Sequence, residues 1–306
     1  MIDKSISNKE LKYFKSISEL CTALGAPKPK HPLIAFFDHD NLSPEPGLSH
    51  VVHDLYMISY KSNLSGKIKY GQGYYDFDEG GLLFVAPNQA IAVMDAQDEC
   101  TGFSLFFHPD LLAGSPLAKE ILQYGFFSYH IDEALHLSEQ EKAKLIQLFE
   151  EIRDELETAI DETSQALIVS YIAVILNYSN RYYKRQFITR KAAGSPIIAR
   201  FEENLQRYFE ETNGLKQGIP SVKQLSEQLH VSSGYLSDLL RSLTGMNTQQ
   251  HIHAKLIDLA KQKLSSSQLT AAEIAYELGF EYPQSFNKLF KSKTGLTPLE
   301  FREQLN

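Results

Sequence analysis

The chain has 306 residues, of which 43% are hydrophobic and 22% charged, and a formal net charge of −8. This length predicts two domains, and this hydrophobic content is enough to fill their cores. Two cysteines, Cys21 and Cys100, are too few for a disulfide framework and indicate a reducing compartment. Residues 1 to 17 lack the apolar run of a signal peptide, and no segment is apolar for long enough to span a membrane. We therefore expect a cytoplasmic protein.

The N-terminal region changes character near residue 33. Before that point, apolar residues recur at helical spacing and predict one helix: Leu11, Phe14, Ile17 and Leu20. That helix would be ended by Pro27, Pro29 and Pro32. From residue 33 to about residue 108, short apolar and aromatic runs alternate with Gly, Pro, Asn and Asp. This alternation predicts an all-β barrel or sandwich.

One segment of this β-rich region, FDEGGLLFVAPNQAIAV, resembles a turn of a cupin-like barrel, with Gly before one strand and Pro-x-Gln before the next. The resemblance implies a sensor barrel with an apolar interior, which suits a small organic effector. By strand alternation, the candidate lining residues are Tyr56, Tyr60, Phe84 and Phe106. The alternative is that these are ordinary core residues and that the barrel serves dimer contacts only.

A metal-dependent cupin enzyme would need clustered histidines. His50 and His53 are three apart, which places them on opposite faces of a strand. His108 has no histidine to join it, and the one His-x-His pair, His251 and His253, falls in a predicted helix. We therefore expect no metal, no cofactor and no catalytic residue, with a metal-dependent cupin enzyme kept as the rival interpretation of this half.

Two amphipathic helices follow a mixed stretch that holds a short helix near Leu117 to Leu122. The first runs from Leu137 to about Ala159, with Ser138 and Glu141 at the spacing of a capping box. The second runs from about Glu162 to Tyr183. We expect the two to form an antiparallel pair that packs on the barrel, supplies a homodimer contact, or does both.

A basic linker is predicted at residues 181–196. Its basic residues are Arg181, Lys184, Arg185, Arg190 and Lys191, and it ends in Gly-Ser-Pro. Phosphate contact and plain solvation are alternative roles for this charge. A helix from Pro196 to about Glu211 then opens the last domain. From Arg200 onward 12 basic residues balance 12 acidic ones, so the net charge of −8 lies in the preceding part.

The last part of the chain nearly repeats itself. Leu225 and Leu229 match Ile274 and Leu278 at an offset of 49, whereas Gly245 matches Gly295 at an offset of 50. The extra residue falls in a turn between two apolar-periodic runs. Each copy therefore predicts a helix, a tight turn and a second helix, and the segment from Thr248 to Leu264 predicts a long helix between the copies.

The second helix of each copy has an apolar face and a polar face. In the later copy, Gln284, Asn287, Lys288 and Lys291 lie opposite Phe286, Leu289 and Phe290. Amides can bond adenine in pairs, and lysine can reach guanine or phosphate. In the earlier copy, whose helix opens at Ser232 or Ser233, the polar candidates are Ser233, Gly234, Ser237, Asp238 and Arg241. Asp238 could accept a bond from cytosine or could pair with Arg241 one turn on.

At these residues the chain resembles the C-terminal domain of the AraC/XylS family of transcription regulators, over residues 221 to 302. The resemblance is carried by YLSDLLRSLTGM, HAKLIDLAKQKL and EIAYELGFEYPQSFNKLFKSKTGLTPLEFR. It implies two helix-turn-helix units in one chain, joined by a long helix, that enter adjacent major grooves. The sequence departs from the family pattern at Leu240, at Lys255-Leu256 and at Asp238.

These observations together predict an α+β protein: a cupin-like sensor and dimerisation domain (1–180), the linker (181–196) and an AraC-type DNA-binding domain (197–306). The expected function is that of a sequence-specific transcription factor, an activator controlled by an effector in the barrel. Its expected partners are double-stranded DNA, RNA polymerase and a second copy of the chain. The alternatives are a regulator that binds no effector and a metal-dependent cupin enzyme fused to a DNA-binding domain.

Overall fold

The computed structural model describes residues 11–45, 50–63, 68–70, 73–75, 80–92, 101–130, 133–158, 163–192, 196–211 and 217–304. It divides into two compact units, Met1–Gln186 and Phe187–Asn306. The first unit combines sheets with helices and the second is helical, which confirms the predicted α+β class. Within the described parts, no helix is both long and apolar enough to cross a lipid bilayer.

The first unit contains short strands followed by helices. In chain order they are β1 (Leu11–Phe14), α1 (Ile17–Ala23), β2 (Ile34–Asp38), β3 (His50–His53), β4 (Tyr56–Asn63), β5 (Ile68–Tyr70), β6 (Gly73–Tyr75), β7 (Gly81–Val85), β8 (Ala90–Ala92), β9 (Thr101–Phe107), α2 (Leu117–Glu120), β10 (Leu135–His136), α3 (Glu139–Glu157) and α4 (Ser164–Ala192). The predicted first helix is therefore shorter than expected, because Leu11 and Phe14 lie in β1, which pairs in parallel with β3.

The strands form separate sheets. One has the order β1-β3-β8, another β10-β7-β4-β9-β2, and β5 pairs with β6. Among the described residues no strand joins the first sheet to the second, so the closed cupin-like barrel that the sequence predicts is not confirmed. The described strands form open sheets rather than a closed barrel.

The five-stranded sheet has two apolar faces. On one face Met57, which is paired with Phe106 and Val85, joins a buried cluster that includes α1 and Val51 of β3. On the other face Phe103 packs edge-to-face on Phe149 of α3, with ring centroids 5.0 Å apart. Directly paired residues share a face of a sheet, so the register fixes this division across the three central strands β7, β4 and β9.

The two long helices of the first unit begin where the sequence predicts. Ser138 caps α3, and the capping box with Glu141 is present. The second helix, α4, continues past the predicted end at Tyr183 as far as Ala192, so residues 181–192 of the predicted linker are helical. Tyr182, Tyr183 and Phe187 are buried, which explains why the helix does not stop at Tyr183.

The second unit is built from short helices around a long one. In chain order they are α5 (Pro196–Glu211), α6 (Val222–Leu229), α7 (Ser233–Thr244), α8 (Thr248–Ser266), α9 (Ala271–Glu277), α10 (Pro283–Thr294) and α11 (Pro298–Glu303). The long helix α8 contacts α7, α9, α10 and α11. Buried residues recur every four positions along it, at Ile252, Leu256, Ala260 and Leu264. Both predicted helix pairs therefore pack on α8.

Candidate nucleic-acid interface

The two helix pairs, α6–α7 and α9–α10, use the same local devices. Ser221 with Gln224, and Thr270 with Glu273, form capping boxes that start α6 and α9. The turn after α6 places His230 at a φ of 57°, and the turn after α9 places Gly279 at a φ of 91°. Each pair thus bends sharply through one residue in the left-handed region.

The second helix of each pair also ends in the same way. Gly245 has a φ of 79° and Gly295 a φ of 80°. Before each glycine a threonine hydroxyl donates to a carbonyl one turn back, from Thr244 to Leu240 and from Thr294 to Phe290, both at 2.8 Å. The repeat seen in the sequence is therefore a repeat in three dimensions, down to the hydrogen bonds that stop each helix.

Helix α10 presents a polar face on an apolar anchor. Phe286 and Phe290 are fully buried and Leu289 is half-buried, whereas Gln284, Asn287, Lys288 and Lys291 are all exposed. Among the described residues, the side chains of Gln284, Asn287 and Lys288 take part in no hydrogen bond or ion pair. The side chains of these three residues are thus available to a ligand, on a helix whose opposite face is packed in the core of the domain.

Charge on α10 is uniformly positive. Lys288, Lys291 and Lys293 lie on it, and the helix contains no acidic residue. Lys291 lies close enough to Glu300 of α11 to add to the lowering of the pKa of that carboxyl, after the larger effect of its hydrogen bonds with Thr297. A surface whose charged side chains are all positive attracts a polyanion such as DNA.

Helix α7 presents a different surface. Ser232, rather than Ser233, caps it by accepting from the backbone N–H of Tyr235. The hydroxyl of Ser233 bonds to that of Ser226 at 2.9 Å. The hydroxyl of Ser237 bonds to that of Thr248 at 3.1 Å.

The charged residues of α7 are also paired. Arg241 donates to Asp238 at 3.0 Å, which is the second of the two alternatives that the sequence left open. Gly234 has no side chain to offer and is half-buried. Of the first-copy candidates, the polar side chains thus make bonds within the domain, in contrast to those of α10.

Two contributors to this region were not singled out from the sequence. Thr248 is fully buried and is the partner of Ser237. Arg302 donates to the carbonyls of Leu264 and Leu269, at 3.2 and 2.6 Å, and so ties α11 to the end of α8. The sequence signal for the latter was the closing Phe-Arg of the family motif.

The candidate effector residues do not share one face of the sheet. Tyr56 stacks on Phe107 and meets Phe127, and Phe84 meets Phe126 and Tyr183. Tyr60 packs on Phe103, and both lie on the face of the sheet that packs against α3. Only Phe106 of the four lies on the opposite face, in the cluster between the sheets.

The histidines considered for a metal are dispersed in the described part of the first unit. His53 is fully buried, and its Nδ1 lies 2.9 Å from the carbonyl oxygen of Leu55. Burial lowers the pKa of His53 and so favours the neutral ring. The side chain of His50 lies outside the described residues. Among those described, no three His, Cys, Asp or Glu side chains are placed to hold a metal ion.

Comparison with known proteins gives matches of two extents. A family model described as "Helix-turn-helix domain" matches residues 225–304. An uncharacterized HTH-type transcriptional regulator, YfiF of Bacillus subtilis, is 23% identical over 258 residues, which are 82% of this chain and 77% of that protein. Another from the same organism, YisR, is 31% identical over 99 residues, 32% of each chain.

Among solved structures, a transcriptional regulator from Chromobacterium violaceum, described as an AraC-type DNA-binding domain-containing protein, is 19% identical. It aligns with 37% of this chain and 96% of its own at a TM-score of 0.33. The motifs of residues 221 to 302, the paired helices and the matched family model agree with one another. Over residues 225–304 the chain therefore carries a helix-turn-helix domain of the AraC type.

Proposed function

We propose that the protein binds a specific duplex DNA sequence through α10 and α7 and thereby regulates transcription. The observation that carries the proposal is the polar face of α10, where Gln284, Asn287 and Lys288 are exposed opposite the buried Phe286 and Phe290. A recognition helix needs this combination, because base edges are read by free donors and acceptors on a rigid support.

Each side chain has a role that its chemistry allows. The amides of Gln284 and Asn287 bond adenine in pairs, and Lys288 reaches guanine O6 and N7 or a phosphate. Lys291, one turn further along, positions a phosphate. Arg241 stands at the matching position on α7, where its bond to Asp238 competes with this role. Ser233, Gly234, Ser237 and Asp238 line the corresponding side of α7, where small residues let the backbone approach the groove.

A base-specificity measurement tests these roles. Replacing Asn287 with Ala should relax the preference at one or two base pairs, by about 1–3 kcal/mol per pair. Binding-site selection on the full-length variant measures this. Gln147→Ala removes another exposed amide, from α3 of the first unit, and should select the wild-type site. Identical selected sites for Asn287→Ala and the wild type would contradict the assignment.

The direction of regulation follows the family resemblance. We assign the protein as an activator that contacts RNA polymerase, with an organic effector bound in the first unit. A promoter–reporter strain tests activation: deleting the gene should lower expression from the bound promoter. A thermal-shift screen with small organic molecules tests the effector, and the alternative is a regulator that binds none.

A homodimer through α4 is part of the same proposal. Its solvent side carries apolar or aromatic residues at spacings of four, three and four: Leu167, Tyr171, Val174 and Tyr178. Leu167 is 45% exposed and Val174 39% exposed, which is unusual for aliphatic residues on one stripe. This spacing is that of a coiled-coil seam.

Charge favours an antiparallel arrangement of the two α4 helices. Tyr171 donates to Glu151 of α3, so acidic side chains flank the first half of the stripe. Arg181 and Lys184 are exposed beyond its other end. Light scattering on the full chain should show a dimer that Val174→Glu dissociates, whereas Gln140→Glu on α3 leaves it intact. A wild-type monomer would refute the dimer.

A further inference from the structure

The two recognition helices can be compared position by position, because α7 and α10 have equal length and stand 50 residues apart. Gly234 occupies the position of Gln284, and Ser237 that of Asn287. Asp238 occupies the position of Lys288, and Arg241 that of Lys291. At the first three of these positions α10 has an amide or an ammonium group, whereas α7 has a small residue or the opposite charge. At the fourth position both helices have a basic residue.

Hydrogen bonding widens this difference. Ser237 is bonded to Thr248 of α8, and Arg241 is paired with Asp238. The side chains of Gln284, Asn287 and Lys288 have no such partner among the described residues. Base reading by α7 would require these internal bonds to be broken, and a buried hydroxyl left without its partner is unfavourable.

Net charge also favours α10 over α7 as the helix that contacts DNA. Helix α10 has three lysines and no acidic residue, a net charge of +3, whereas in α7 one Arg and one Asp sum to zero. The carboxylate of Asp238 also stands where a phosphate would approach Arg241, since the two side chains are in contact at 3.0 Å. An anion beside a cation lowers the attraction of that cation for phosphate.

Given the DNA binding proposed above, we infer that the two units divide the work unequally: α10 reads the bases, α7 positions the domain, and Asp238 restrains Arg241 from the DNA backbone. The bound site should then be strongly constrained in the bases of one major-groove segment. The bases about 10 bp away, where the other unit enters the adjacent groove, should be weakly constrained.

The test begins with binding-site selection on the full-length wild-type protein, followed by fluorescence anisotropy on the selected duplex between about 50 and 200 mM salt. Lys291→Gln, at the position that matches Arg241, should lower the salt slope by about 0.9, the value for one phosphate contact. Arg241→Gln should change the slope by less than half of that.

Asp238→Asn gives the opposite expectation. It frees Arg241 and should tighten binding, with a salt slope steeper by about 0.9 for one added phosphate contact. Asp258→Asn, an exposed carboxylate of α8, makes the same change in net charge and should not tighten binding as far. The asymmetry is overturned by two equally constrained segments in the selected site, by equal slope losses for Arg241→Gln and Lys291→Gln, or by no gain for Asp238→Asn over Asp258→Asn. Selection that enriches no sequence would instead refute the proposed function itself.

Discussion

Replacing Gly279 with alanine should destabilise the second helix pair far more than the same change at Gly295. Gly279 lies in the turn between α9 and α10 at a φ of 91°. A Cβ there would lie 2.5 Å from the carbonyl carbon of Gly218, 2.7 Å from its oxygen and 2.9 Å from the nitrogen of Ile219. All three are backbone atoms, so no side-chain rotation relieves the contact.

The magnitude follows from two contributions. The left-handed conformation costs an L-residue about 1–2 kcal/mol. Moving the packed backbone at residues 218 and 219 adds about 1–3 kcal/mol, the usual range for overpacking. Gly295 supplies the control, because its φ is 80° but a Cβ there meets nothing within 4 Å. Gly295→Ala should therefore cost only the first contribution.

Hydrogen exchange read by mass spectrometry is the suitable assay, since it resolves segments of the full chain, which has no tryptophan to report locally. Amides of α9 and α10 in Gly279→Ala should exchange about 30-fold to several thousand-fold faster, for a loss of about 2–5 kcal/mol. Those in Gly295→Ala should change by about 5- to 30-fold. Equal effects of the two variants would refute the close approach of Gly279 to the Gly218 backbone.

Three further predictions concern single side chains. Arg302→Ala removes two charge-assisted bonds to carbonyls at and after the end of α8 and should cost about 1.5–3 kcal/mol in denaturant unfolding; an unchanged midpoint would contradict this. Hydrogen bonds from Thr270 hold the pKa of Glu273 below its ordinary 4.5. The capping box of these two residues therefore stabilises α9 above pH 4.5, and this stabilisation is lost as pH falls through the lowered pKa. Glu273→Gln should make the free energy of unfolding depend less on pH in that range. Burial, with a smaller effect of Lys61, lowers the pKa of His39 to about 4. The contribution of the neutral ring to the free energy of unfolding is therefore complete above pH 6.5 and is lost as pH falls toward 4. The ring signals of His39 in NMR should not shift between pH 5.5 and 8.

The helix-turn-helix part could be predicted from the sequence because its information is local. Capping residues, a threonine-glycine stop and apolar residues three or four apart occur within each short segment, at Ser221, Thr270, Gly245 and Gly295 among others. Each signal acts within one or two turns of helix, so no knowledge of distant contacts is needed.

The fold of the first unit is harder to predict from the sequence, because strand pairing depends on residues that are far apart in the chain. Alternation correctly places Tyr56 and Tyr60 on one side of β4, but which side faces the other sheet depends on strand pairing. Only the register shows that Phe106 pairs with Met57 and so lies on the opposite face from Phe84, which pairs with Ile58. Short apolar runs are also ambiguous between helix and strand, which is why β1 was predicted as helix.

In the recognition helices, the sequence predicts which residues are polar but not which are occupied. The bond from Ser237 to Thr248 joins residues on two helices whose crossing is set by tertiary packing. By contrast, the pairing of Asp238 with Arg241 is local, three residues apart on one helix, and was therefore among the predicted alternatives.

The most direct test of the central claim is fluorescence anisotropy of the full-length protein on a labelled duplex from upstream of its own gene, against a scrambled duplex of equal length. The titration is run at about 50 and 200 mM salt, because non-specific binding by phosphate contacts falls steeply over this range. Sequence reading by α10 predicts that the preference for the native duplex persists at the higher salt and is reduced in Asn287→Ala. Equal, salt-sensitive binding of wild type and variant to both duplexes would contradict it.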